Sequence, residues 1–93
     1  MDTLAQLAKA AQRGMESAGF VNVRTDVQNE GQRVLLYARG DCPCGIGQSG
    51  VGMAFTKEML AHNTVDMTVM VEHRIHAESM KHIDQDRAEG RWV

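Results

Sequence analysis

Leu4, Leu7, Ala8, Ala11, Met15 and Ala18 recur at three- and four-residue spacing, which predicts a helix over 3–18 with one apolar stripe. Thr3-Leu4-Ala5-Gln6 fits the capping box, in which hydroxyl and amide side chains satisfy free N–H groups reciprocally. Gly19 is a natural stop just past its end. Gly14 lies inside the pattern at a cost of about 1 kcal/mol against alanine. A second backbone packed closely against it would account for that choice.

From Phe20 the rhythm changes to alternation. Val21, Val23 and Val27 share one face, and Asn22, Arg24 and Asp26 the other. Asn29-Glu30-Gly31 supplies turn chemistry, and 32–38 resumes as a strand, so a β-hairpin is expected. The stretch 39–52 reads as a loop, because Gly40, Gly45, Gly47, Gly50, Gly52 and Pro43 fall within it. Val51, Phe55 and Met59 at i, i+4 spacing predict a helix over 51–62, with Asn63 able to cap its end. Val65, Met67, Val69, Val71, His73 and Ile75 alternate with other residues and predict a third strand. A more polar helix over 77–89 follows, with Met80 and Ile83 as its apolar contacts.

The expected order is α-β-β-α-β-α: an α+β fold with a small, three-stranded, mostly antiparallel sheet and helices packed on one face. A single compact domain spanning 1–93 is expected. The second strand, the helix at 51–62 and the third strand would form a β-α-β unit with parallel strands. That arrangement returns His73 and His76 to the sheet edge carrying the 40–50 loop, and leaves His62 at the opposite edge.

Composition narrows the function classes. The chain has 93 residues, 43% of them hydrophobic, enough to bury a core. Phe20, Tyr37, Phe55 and Trp92 are the only aromatics, and seven methionines suggest an adaptable core or surface. A net charge of -2 without a basic patch argues against a nucleic-acid partner. No apolar run nears the roughly 20 residues needed to cross a bilayer, so no membrane role is expected. Two cysteines one residue apart make no disulfide framework, and the opening Met1-Asp2-Thr3 has no signal-peptide character. A cytoplasmic location follows as the expectation.

Two features stand apart from core building. Cys42-Pro43-Cys44 offers two sulfurs that could form half of a zinc site, completed by His73 and His76. Zinc half-sites usually space their cysteines wider, and 73/76 spacing on a regular strand points the rings to opposite faces. Cys-X-Cys could instead cycle as a strained disulfide, though thioredoxin-like chemistry uses Cys-X-X-Cys. A plain turn, with both cysteines packed as small hydrophobes, is the third reading. Gly45, Gly47 and Gly50 match G-x-G-x-x-G ahead of an expected helix start, a setting that favours anions. No second nucleotide-binding half accompanies it, and no Walker lysine.

His73 reads as a core histidine, and His62 and His82 as solvated helix positions. No serine or cysteine can be paired with a histidine and a carboxylate on spacing alone, so no enzyme is expected. Arg39-Gly40-Asp41 spells an integrin-binding tripeptide that three residues cannot make specific. The expected function is therefore a small protein-interaction module, an accessory or inhibitory protein of a kind that phages also encode. It would bind a larger protein or a second copy of itself as a homodimer, with Cys42, Cys44, Gly45, Gly47 and Met70 as binding residues. The competing expectation is a metal- or redox-responsive protein using zinc at Cys42, Cys44, His73 and His76.

Overall fold

In the computed structural model, residues 3–61 and 64–92 are described. Helix α1 (Thr3–Ser17) buries Leu7, Ala10, Ala11, Gly14 and Met15 along one stripe. It ends where Gly19 takes φ 105°, a left-handed conformation natural to glycine, with the Gly19 N–H donating to the Glu16 carbonyl at 2.9 Å. Strands β1 (Val21–Glu30) and β2 (Arg33–Asp41) form the expected hairpin, turned at Gly31 with φ 65°. Near its start β1 bulges between Val21 and Arg24, where Asn22 has φ 55°.

Strand β3 (Gln48–Thr56) pairs antiparallel with β2 from Arg33 opposite Thr56 to Asp41 opposite Gln48. The sheet is a meander of order β1-β2-β3. A single turn, α2 (Lys57–Leu60), is capped by the Thr56 hydroxyl, which accepts from the Met59 N–H at 3.1 Å. Helix α3 (Thr64–Ala88) runs for 25 residues. The fold is thus small α+β, a three-stranded antiparallel sheet with helices packed on it, in the order α-β-β-β-α-α.

Two segments differ from the pattern reading. Residues 48–56 form a strand where a loop and a helix start were expected. Val51 and Phe55 stand four apart, a spacing that suits a helix face and also one face of a strand. Ser49, Val51 and Met53 complete the period-two row, half-buried, and Phe55 is fully buried. The second difference lies at 64–88, where one helix replaces the expected third strand and last helix. Its buried stripe is Val71, Ile75, Ser79 and Ile83, in steps of four, while Val69 and Met70 remain exposed. Among the described residues no β-α-β unit forms: 65–75, expected to run parallel to the second strand, is helical, and 48–56 pairs with β2 antiparallel instead. The expected cap Asn63 and His62 lie outside the described residues.

The core sits between the sheet's inner face and the two long helices. Val34, Leu36 and Ala38 of the central strand are buried there with Phe55, Leu7, Met15 and Ile75. Gly14 meets α3 main chain to main chain. A Cβ on it would stand 2.5 Å from the Glu72 carbonyl oxygen and 3.1 Å from the His76 nitrogen. Arg13 pairs with Glu72 at 2.7 Å and Ser17 with His76 Nδ1 at 2.7 Å, on either side of that contact. On the sheet's other face, Arg24, Asp26, Tyr37 and Arg39 are exposed.

Candidate functional site

Strand β2 ends at Asp41, and the chain reverses into β3 through a loop bonded to itself. The Cys42 N–H donates to the Gly47 carbonyl at 3.0 Å, and the Gly45 N–H donates to the Cys42 carbonyl at 3.1 Å. Gly45 and Gly47 take φ 84° and 88°, which is what those two positions require of glycine. Since a strand follows them, no helix start stands behind this loop, and the anion-binding geometry expected of the glycine run is not formed. Arg39, Gly40 and Asp41 belong to β2, and the Asp41 carboxylate accepts from Asn22 Nδ2 at 2.7 Å.

Both thiols are free and buried. Cys44 Sγ accepts from the Ile46 N–H at 3.4 Å and stays within the loop. Cys42 Sγ accepts from the Cys44 N–H at 3.3 Å and donates to Asp86 Oδ2 at 3.3 Å, which crosses from the loop to α3. One turn earlier on α3, His82 Nε2 stands 3.5 Å from the same Asp86 oxygen. The Ser49 hydroxyl, from the start of β3, bonds that same ring nitrogen. Asp86 is only 5% exposed, so a carboxylate is held in the interior with a thiol and an imidazole as its recorded partners.

Across the fold Cys42 therefore bonds Asp86, with a ring nitrogen of His82 within 4.8 Å, and not His73 or His76. His76 is engaged by Ser17 at the end of α1, and His73 is exposed on α3. The correction has a geometric cause: 65–75 is helical, so α3 approaches the cysteine loop with its C-terminal half. A signal for this did exist. His82-x-x-x-Asp86 is an i, i+4 pair, which a helix places on one face. The Ser49, His82 and Asp86 side chains do not form a nucleophilic triad. Serine and aspartate both address Nε2, whereas a proton relay needs them on opposite ring nitrogens.

Burial above all, together with hydrogen bonding to Cys44 and to Asp86 and against the opposing Cys44 N–H, pushes the Cys42 thiol up from 9.0 to about 12. At neutral pH it is protonated, which disfavours thiol–disulfide exchange. The sign of the linkage follows. Below about 9 both folded and unfolded chains carry the thiol; as pH rises towards 12 the unfolded chain loses its proton and the folded one keeps it. Stability present below pH 9 is thus lost on the way up, by on the order of 1 kcal/mol at pH 10. Urea titrations at pH 8 and 10 should show this drop in the parent and a smaller one in Cys42→Ser.

A second feature adjoins the first. Between β3 and α3 runs a groove of about 580 Å³. Residues 49–53 all line it, and alternating side chains can do so consecutively only along a strand's edge. Arg74, Glu78, Lys81 and Gln85 form the opposite wall, a single face of α3, with Met15 and Phe20 among the apolar lining. Ser79, fully buried, also borders it, and its hydroxyl has no hydrogen-bond partner among the described residues.

The two sheet edges differ in their defences. β1 carries Arg24, Asp26 and Glu30 and is bulged, features that blunt an edge against pairing. The nine residues of β3, QSGVGMAFT, include no charge and no proline. Among the described residues no helix is long and apolar enough to cross a membrane. No protein-family model, no curated protein and no solved structure matches this chain.

Proposed function

We propose that the chain is a protein-interaction module, an accessory or inhibitory protein rather than an enzyme, and that its working surface is the free edge of β3. The observation that carries this is the undefended nine-residue edge strand facing a groove walled by α3. An extended segment entering there would pair its main chain with β3 and send alternate side chains towards Met15 and Phe20. The half-buried Val51 and Met53 would then be covered.

In a solution of the pure protein the strand at hand is the β3 of a second copy, so the module is a homodimer until a larger protein's extended segment replaces it. The exposed Met70 on α3 offers an adaptable apolar contact outside the groove. Free, buried thiols suit a reducing compartment, and action in the cytoplasm goes with this function.

The test is hydrogen exchange by NMR on the β3 amides across a concentration series. Strand pairing should slow exchange at 49–53 as concentration rises while leaving β1 amides unchanged. Exchange at 49–53 that does not respond to concentration would refute pairing at this edge.

A further inference from the structure

We propose that Cys42, His82 and Asp86 form a binding site for a divalent transition-metal ion, zinc by preference. Their donor atoms all lie within 4.8 Å of one another. Bonds of 2.0–2.3 Å in a tetrahedral shell put neighbouring ligand atoms roughly 3.3–3.8 Å apart. Two separations already match, Cys42 Sγ to Asp86 Oδ2 at 3.3 Å and His82 Nε2 to Asp86 Oδ2 at 3.5 Å.

The donor set selects the ion. One sulfur, one imidazole nitrogen and one carboxylate oxygen suit zinc and its neighbours, whereas calcium and magnesium require oxygen shells. Charge points the same way. A thiolate and a carboxylate balance a divalent cation, so coordination turns a buried anionic carboxylate into a neutral cluster. On binding, Cys42 gives up its thiol proton to solvent and the sulfur takes the metal in its place; no electron is transferred.

Rigidity supports the site. His82 and Asp86 sit one turn apart on α3, and Cys42 is pinned by the main-chain bond to Gly47. The fourth position falls to the Ser49 hydroxyl, now on His82 Nε2, or to a water entering from the groove that both residues line. The ion would tie the C-terminal half of α3 to the loop between β2 and β3. This assignment is independent of strand pairing at β3.

The experiment uses the reduced, chelator-stripped full chain titrated with Co²⁺ and then Zn²⁺, with folding followed by circular dichroism. One cobalt per chain is expected, with tetrahedral visible bands and a thiolate charge-transfer band that zinc abolishes. His82→Gln, which alters a half-exposed side chain, and Asp86→Asn should each weaken affinity on the order of 100-fold. Cys42→Ser should remove the charge-transfer band, while Cys44→Ser and the pair His73→Gln with His76→Gln should keep it. The proposal is overturned if the folded parent takes up no stoichiometric cobalt or zinc, or if folded His82→Gln binds as tightly as the parent. Loss of binding in the His73/His76 pair would overturn it as well.

Discussion

Phe55→Ala is expected to cost about 3–5 kcal/mol, the range for emptying a fully buried aromatic site. Phe55 is 2% exposed, points from β3 into the core and stands opposite Val34 of the central strand. Removing its ring leaves a cavity bounded by a sheet and helices, which cannot collapse without breaking strand pairing. A domain of this size commonly has 5–15 kcal/mol in all, so the variant would be close to unfolding at room temperature. Urea denaturation should give a midpoint shifted far down with little change in slope. A shift smaller than about 1 kcal/mol would mean that β3 does not hold Phe55 in the core.

Gly14→Ala should also destabilise, against the helix preference for alanine. At an exposed helical position the exchange gains about 1 kcal/mol. Here the new methyl carbon meets the Glu72 carbonyl oxygen at 2.5 Å, and that neighbour is backbone held in α3. The helices must separate, with an overpacking cost of about 1–3 kcal/mol. Thermal denaturation should show a lower Tm than the parent. A higher Tm would contradict the main-chain contact between α1 and α3.

Gly14 also shows what the sequence discloses well. A helix-weakening glycine inside a strong apolar stripe pointed to a close backbone neighbour, and α3 is that neighbour. Helix α1 was readable because its period holds from Leu4 to Ala18, and the first hairpin because Asn29-Glu30-Gly31 separates two strand-like runs. The bulge at 21–24 nonetheless leaves Val21 exposed rather than on the face of Val23 and Val27. The failures arise where a period is ambiguous. Val51 and Phe55 satisfy both helix and strand spacing, and the flanking Gly50 and Gly52 suggested a loop. In the structure the Tyr37 ring lies against Gly52, where a Cβ would stand 3.0 Å from it, so this strand glycine answers to a close neighbour.

Residues 65–75 erred the other way. Apolar residues at every second position imitated a strand, but Val71, Ile75 and Ile83 carry the burial, at helical steps. That single error moved His73 and His76 to the wrong place and concealed His82 and Asp86. The cysteine loop was legible as unusual, because Cys-Pro-Cys with glycines is not scaffold composition. Its partners were not, since the i, i+4 spacing of His82 and Asp86 shows only that they share a helix face, and which face meets the loop depends on how α3 crosses the sheet.

The proposed use of the β3 edge is tested most directly by sedimentation equilibrium from low to high micromolar concentration, comparing the parent with the double variant Gln48→Lys, Ala54→Lys. Both positions are exposed, so the lysines leave the core intact. In a two-fold pairing centred on Val51 they would face each other across the dimer, and like charges directly opposite oppose pairing. The parent should approach twice the chain mass as concentration rises, and the double variant should stay monomeric with an unchanged circular dichroism spectrum. A parent that remains strictly monomeric at high micromolar concentration, or a double variant that dimerises equally well, would contradict strand pairing at β3.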